Sequence, residues 1–489
     1  MSHSISVPGA TCVGSAASAT AARSHGRSSV LVALVAGTLF FSAFLMFLVE
    51  PMIARMVLPL LGGSPSVWNT CLVFFQTMLL GGYAYAHGAT RYLGVRRHIV
   101  VHAVVLLLPL LVLPIGLHHA PPALPDRPAV WLLLALLGSI GLPFFVLSTS
   151  AAVLQTWFSA TDDQSATDPY FLYAASNLGS FIALLAYPLI VEPTLRLQDQ
   201  ARLWTGGYAM LVALTLAGAA VAWRRGGATM AAVVDHDVDE PIAWLRRGRW
   251  IALAFVPSSL LLAVTTYIST DVASVPLLWI LPLALYLLAF VLAFSPSVAR
   301  VRAMSARLMP LLVVVLTLIL VVDAVSPLSL IIPLHLAAFM AIAITCHSDL
   351  ASDRPSPTQL TEFYFWIACG GMLGGMFNAL LAPVIFSGIA EYPLVLVAAC
   401  LLRAAPGPSV RRTITVADVA VPLAIGAAVA ASILVNNRFG SQARFIMLGA
   451  AVPALFAFRQ LRYRFRFAAS IALILLAGVV TERQDQAPW

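Results

Sequence analysis

Residues 148–193 read STSAAVLQTWFSATDDQSATDPYFLYAASNLGSFIALLAYPLIVEP. They hold an apolar helix end, a short acidic loop with Asp162, Asp163 and Asp168, and a second apolar helix interspersed with small and polar residues. A related stretch returns at residues 345–393, TCHSDLASDRPSPTQLTEFYFWIACGGMLGGMFNALLAPVIFSGIAEYP. In register, Gly179 falls on Gly374, Ser180 on Gly375 and Pro188 on Pro383. Each copy closes on a carboxylate and a proline, Glu192-Pro193 and Glu391-Tyr392-Pro393. The recurrence predicts two halves of one design.

Composition says where that design sits. The chain has 489 residues, 61% of them hydrophobic and 10% charged, against about 25% charged in soluble domains. Mean hydropathy is +0.93. Apolar runs long enough to cross a bilayer recur throughout. They are continuous rather than alternating, which requires helices and excludes a membrane barrel. The fold class is therefore all-α, a polytopic membrane helix bundle of about 14–15 transmembrane helices. The net charge of +8 comes from arginines in short loops. No basic stretch with interleaved aromatics points to nucleic acid. Cys12, Cys71, Cys346, Cys369 and Cys400 are scattered without a CxxC pair, so neither a disulfide framework nor a metal site is expected.

Working outward, residues 1–28 read as a disordered tail rich in Ser, Ala and Gly. A first six-helix half is expected over 29–223, with spans near 30–49, 67–87, 100–117, 129–158, 170–191 and 203–223. Residues 224–249 carry Asp235, Asp237, Asp239 and Glu240, then Arg246, Arg247 and Arg249, and read as a charged cytoplasmic linker. A second six-helix half is expected over 250–404, additional membrane helices over 405–481 and a polar tail over 482–489. Glu50-Pro51 inside the first apolar segment predicts a kink or break. Arginines concentrate in alternate loops (Arg91, Arg96, Arg97; Arg224 to Arg249; Arg300, Arg302, Arg307), whereas the other side holds mainly Arg127, Arg196 and Arg202. This bias predicts a cytoplasmic N-terminus in a multi-pass cell-membrane protein, in a bacterial inner membrane.

Six spans, a charged linker and six spans is the organisation of major-facilitator-type transporters, whose halves are parallel repeats. Trp68 in SVWNTCLVFFQTMLL falls opposite Trp279 in VPLLWILPLALYLL. The loop GATRYLGVRR at Gly88 resembles the basic loop of that superfamily, with Tyr92 where an Asp is expected. Five blocks together carry a narrower resemblance: FLVEPMIARMVLPLLGGSPSVWNTCLVFFQTMLLGGYAYAH from Phe47, GLPFFVLSTSAAVLQTWFS from Gly141, YFLYAASNLGSFIALLAYPLIVEP from Tyr170, TTYISTDVASVPLLWILPLALYLLAFVLAFS from Thr265, and CHSDLASDRP with LTEFYFW and GGMLGG from Cys346. They resemble the membrane region of fused major facilitator/spermidine synthase proteins. Asp349 stands where that family tends to show Glu. Long members of the family continue into a soluble synthase-like domain. Here the expected position of that domain lies beyond Trp489, and no Gly-rich βα turn occurs in the chain. The resemblance therefore implies no aminopropyl transfer, and no cofactor is expected.

Ionisable and amide groups at membrane depth are the candidate site, because they are expensive there and face a cavity or a partner. Glu50 is the sharpest. Asp271, at the end of the seventh span, is its counterpart if the halves match. His347 and Asp349 could relay protons as a pair. Tyr173, Asn177 and Ser180 share one helix face. Gln155 points to the same interior; Asn69, Gln76 and His87 on the second span line that cavity or bond across helices; and Asn378 lies on the matching helix of the second half. Gly179, Gly370, Gly371, Gly374 and Gly375 have small-xxx-small spacings that read first as helix packing. Glu362, beside Thr361, reads as a helix cap. No HExxH or GxSxG motif supports an intramembrane enzyme. Two readings follow. One is a secondary transporter of a small polar or cationic solute, with no nucleotide-binding motif to drive it. The other, implied by the family architecture, is a non-catalytic membrane anchor or partner of a separately encoded polyamine-synthase-like enzyme.

Overall fold

The computed structural model describes residues 13–62, 65–117, 128–225, 241–272, 278–295, 298–386, 388–403, 415–439 and 443–485. The described residues are helical with short connections and contain no strand. An apolar backbone in lipid has no other way to satisfy its own polar groups. Among the described residues, ten helices are long and apolar enough to cross a membrane, and shorter apolar helices cover Ile280–Ala293, Glu391–Leu402 and Gly449–Arg459.

The first half comprises α1 (Val13–Leu61), α2 (Pro65–Leu107), α3 (Pro128–Leu136), α4 (Leu142–Ser159), α5 (Phe171–Ala186), α6 (Glu192–Thr194) and α7 (Leu197–Arg225). The second comprises α8 (Trp244–Tyr267), α9 (Ile280–Ala293), α10 (Val298–Val322), α11 (Leu328–Ser352), α12 (Leu360–Met376), α13 (Ala382–Ile385) and α14 (Glu391–Leu402). Helices α15 (Val416–Phe439), α16 (Ala443–Arg459) and α17 (Arg464–Asp485) follow. Wide helical turns at Leu137–Gly141, Tyr187–Val191 and Phe377–Leu381 join α3 to α4, α5 to α6 and α12 to α13. Each of these pairs therefore crosses as one irregular rod, with proline just after or inside the wide turn at Pro143, Pro188 and Pro383. The second and third expected spans fall within α2, reversed at Gly94, whose φ of 67° and ψ of 165° suit a residue without a Cβ.

Several boundaries differ from the sequence reading. Helix α1 begins at Val13, so part of the expected tail is helical, and residues 1–12 lie outside the described residues. The run SAASATAAR is rich in alanine, the best helix former. The helix does not break at Glu50-Pro51 but continues through Pro51 and Pro59 to Leu61. Packed membrane helices tolerate the lost N–H donor because neighbouring groups satisfy the freed carbonyl. The linker is shorter than residues 224–249, since α8 begins at Trp244 and takes up Arg246, Arg247 and Arg249. Residues 226–240 lie outside the described residues. Those arginines are tied down: Arg246 Nε lies 3.0 Å from Asp353 and Arg247 is 2.6 Å from Glu362. Glu362 thus serves as an ion-pair partner, while Gln359 occupies the N-cap of α12 without a side-chain bond.

The two halves repeat their packing. Helix α1 packs on α5 as α8 packs on α12, and α2 packs on α4 as α9 packs on α11. Across the halves, α2 meets α12 and α5 meets α9. Glycines set the closest crossings. A Cβ on Gly179 would overlap the backbone carbonyl of Phe40 in α1, and one on Gly374 would meet that of Phe255 in α8. Small residues let membrane helices approach until backbone touches backbone, which replaces the hydrophobic drive that lipid does not supply. The additional helices lie against α10 and α14. Arg466 Nε donates to Asp418 at 2.6 Å and closes α17 onto α15, and Arg403 donates to the Leu461 carbonyl.

Gly179→Val forces α1 and α5 apart or collides with the Phe40 carbonyl. The expected cost is about 1–3 kcal/mol, seen as a lower midpoint of thermal unfolding in detergent. Gly371→Ala, with no atom within 4 Å of the added Cβ, leaves that midpoint unchanged.

A cavity between the two halves

The opposed helices leave a cavity of about 140 Å³. Its wall is drawn from both halves. Helix α1 contributes Ser42, Met46 and Glu50, α2 contributes Phe75, Gln76 and Tyr83, and α5 contributes Tyr173, Ser176, Asn177 and Ser180. Helix α4 adds Ser148, α9 adds Tyr286 and Phe290, and α12 adds Tyr364 and Gly371. Ser42, Met46 and Glu50 are spaced four apart, so the helical period brings them to one face.

Glu50 is the charged residue in this wall. It is 4% exposed and has neither an ion-pair nor a hydrogen-bond partner among the described residues. A carboxylate in such a place is costly, and its neighbours are Ser, Asn, Gln and aromatic side chains rather than cations. Gln76 spans the halves, its Nε2 donating to Ser258 Oγ of α8 at 3.2 Å, and its Oε1 is buried without a partner. Ser258 in turn donates to the Gly371 carbonyl at 2.7 Å. Asn177 spends its Nδ2 on the Tyr173 carbonyl at 2.8 Å. The cavity thus presents one unpartnered carboxylate, Glu50, whereas Gln76 Oε1 is buried against Gly375.

Each end of the cavity is closed by contacts between the halves. At the arginine-rich end Tyr364 stacks on Tyr173 with ring centroids 4.9 Å apart and lies 5.8 Å from Tyr83. Its hydroxyl donates to Gln155 Oε1 at 2.8 Å. Tyr170 O–H donates to the Pro355 carbonyl at 3.1 Å, and Arg354 pairs with Asp168 at 2.7 Å. Burial holds the Tyr170 phenol above its ordinary range, partly offset by the Arg354 guanidinium, so it stays a neutral donor. His87 Nδ1 and Thr361 Oγ1 lie 3.0 Å apart. At the other end the indoles of Trp68 and Trp279 meet with centroids 3.6 Å apart. These two residues hold equivalent places in the two halves, and the contact brings the repeat's own counterparts together on its axis.

The structure divides the sequence candidates. Glu50, Gln76, Tyr173 and Asn177 share the cavity wall. Gln155 is fully buried beside it, holding Tyr364, with its Nε2 unpartnered. Asn69 is half-buried on α2 next to Trp68 and does not line the cavity. Asn378 donates to Ser259 and to the Gly374 carbonyl and ties α12 to α8. His347 and Asp349 do not act as a pair. Asp349 lies 2.6 Å from Arg302 and 3.7 Å from Arg249. His347 is fully buried behind the wall, stacked on Phe290 at 3.6 Å, and neither ring nitrogen has a partner. Asp271 lies in the wide turn Ile268–Val272, and its side chain is outside the described residues. Among the glycines, Gly370 abuts the Ile251 carbonyl and Gly375 the Gln76 amide, whereas Gly371 lines the cavity with open space around it. No group of three or more potential metal ligands occurs among the described residues.

The sequence reading did not find Ser42, Tyr83, Ser148, Tyr286 or Tyr364. For Ser42 a signal was present, two helical turns before Glu50. Tyrosines, by contrast, occur on lipid-facing and packed surfaces alike, and spacing alone does not separate these.

No family model matches the chain, and no curated protein matches it. Among solved structures it is similar to the major facilitator superfamily proton:xylose symporter XylE bound to 6-bromo-6-deoxy-D-glucose, with a TM-score of 0.51 and 11% identity over 77% of this chain and 95% of that one. It is similar to the inward-open conformation of the xylose transporter XylE from E. coli, with a TM-score of 0.50 and 12% identity over 79% of this chain and 97% of that one. The human organic anion transporter MFSD10 (TETRAN) gives a TM-score of 0.49 and 13% identity over 77% of this chain and 98% of that one. At these identities the likeness is one of fold: an all-helical, polytopic bundle with major facilitator neighbours.

Tyr364→Phe removes the donor to Gln155 and leaves a buried amide with neither oxygen nor nitrogen paired. A loss of about 1–3 kcal/mol is expected. It reads as a lower unfolding midpoint and as faster alkylation of a cysteine introduced at Ser148.

Proposed function

We propose that this protein is a secondary transporter that carries a small solute bearing hydrogen-bond donors, cationic or uncharged, through the cavity between its halves. The observation that carries this reading is Glu50, a buried carboxylate in the cavity wall with no cation beside it. Such a group disfavours an anion and favours either a proton or a donor-bearing solute. The aromatic rings of Tyr83, Tyr173, Tyr286 and Phe290 supply faces on which a cation or a sugar-like ring can rest.

The working cycle follows from the packing. Contacts between the halves at the arginine-rich end are hydrogen bonds, one exposed ion pair and stacked rings, each individually modest. At the other end the described contact is a pair of indoles. Rocking one half against the other separates one set while the other stays closed, and the cavity changes sides. Glu50 then takes or gives a proton, or exchanges the solute, on whichever side is open. We place the N-terminus in the cytoplasm and the protein in a bacterial inner membrane, on the arginine bias alone. The narrower assignment to the fused family is supported by the five sequence blocks. The alternative role, an anchor for a separately encoded synthase-like enzyme, leaves the cavity and its lone carboxylate without a use.

Purified protein in proteoliposomes tests this. With a proton gradient imposed, uptake from a panel of monovalent amines, polyols and organic acids should favour amines or polyols. Glu50→Gln should lower uptake at least about tenfold, a difference near 1.4 kcal/mol, with the protein still folded by size-exclusion profile. Uptake of acids alone, or uptake unchanged by Glu50→Gln, overturns the proposal.

A further inference from the structure

Helix α1 has a second working face. Ser42, Met46 and Glu50 point to the central cavity, while Phe44, Leu48 and Met52 line a separate concavity on the outside of the bundle. Its other walls are Tyr187 at the end of α5 and Gly206 and Met210 of α7. It opens among Leu189, Ile190 and Leu203, all strongly exposed and apolar, which is the surface that meets lipid tails. The groove exists because α7 has no side chain at Gly206, where an added Cβ would find no atom within 4 Å.

Two features make it more than bare apolar surface. At its floor the Tyr187 hydroxyl and the Gln200 side chain lie beside each other, and neither the hydroxyl nor the amide oxygen bonds any other group of the bundle. At its mouth stands Arg202, 75% exposed and only loosely paired with Asp199 at 3.8 Å. Arg196, six residues earlier and just before the start of α7, is exposed and has no ion pair among the described residues. The remaining charges nearby, Arg55 and Glu192, neutralise each other at 2.9 Å. The mouth therefore keeps a net positive charge, at the end of the bundle where arginines are otherwise sparse.

We infer that this groove is a binding site for an acidic phospholipid. An acyl chain lies along α1 and α7 over Gly206, its ester group reaches Tyr187 and Gln200, and its phosphate sits between Arg196 and Arg202. Basic residues beside intramembrane grooves recognise acidic head groups in this way. A second copy of the chain is a poorer occupant, since a flat helix face would not reach the recessed polar floor. The site is independent of the transport reading, for it rests on the opposite face of α1.

The test is lipid binding by the full chain in detergent, followed by native mass spectrometry with dioleoylphosphatidylglycerol or dioleoylphosphatidylcholine as the probe. Wild type should bind the glycerol lipid at least about fivefold more tightly than the choline lipid. Arg196→Gln and Arg202→Gln should each reduce that preference by about fivefold, the effect of roughly one surface cation. Gly206→Trp should abolish retention of either lipid by filling the groove. Met210→Trp, which fills it from the same helix, guards against a folding defect in the first variant. Equal binding of both lipids by wild type, or undiminished binding in both tryptophan variants, overturns the inference. So does a wild-type dimer that is lost in the tryptophan variants, because the occupant is then a second copy.

Discussion

Two backbone crossings hold this bundle in its form: Gly179 on the Phe40 carbonyl and Gly374 on the Phe255 carbonyl. Lipid tails are as apolar as leucine, so helices in a bilayer gain little from hydrophobic contact alone. Close approach of backbone to backbone supplies the dispersion and dipole contact instead. Because the same crossing recurs in both halves, α1 and α5 sit as α8 and α12 do. The helices that flank them, α2 with α12 and α9 with α5, then meet across the interface. The cavity is what remains between these four.

That arrangement explains why polar groups survive at membrane depth. Most of them are consumed by structure. Gln155 holds Tyr364, Asn378 binds Ser259 and a carbonyl, and Asp349 answers two arginines. The Gln155–Tyr364 and Asn378–Ser259 bonds each join two helices in the buried interior, where lipid offers no alternative partner. Glu50 differs in lining the cavity without any partner of its own. An acceptor without a partner is available to another group, whereas a paired one holds helices together. The wall of α1 that carries Glu50 is backed on its far side by the outer groove, so one helix separates the two concavities.

Much of the architecture was legible in the residues. Continuous apolar runs with almost no charge demand helices, and the recurrence of a glycine helix ending in carboxylate and proline announces two halves. Glu50 could be singled out because a carboxylate is rare in such a run. Asn177 and Tyr173 followed from the helical period. The joint residues were misread for one reason: a polar side chain within an apolar helix looks the same in sequence whether it meets a solute or another helix. His347 and Asp349 are near in sequence, yet one meets Phe290 and the other Arg302 and Arg249. Glu362 looked like a cap because Thr361 stood beside it, and Arg247, far away in the chain, claimed it.

The sequence by itself determined the class of the protein, a helical membrane bundle of two related halves with extra helices, because hydropathy and backbone satisfaction in lipid leave one solution. Only the tertiary structure decided which polar groups are free. That depends on partners contributed by helices more than a hundred residues away, as with Gln155 and Tyr364 or Gln76 and Ser258. It also decided that Trp68 and Trp279, equivalent in the repeat, touch each other, since symmetry brings counterparts together only at the axis, and the position of an axis is a property of packing.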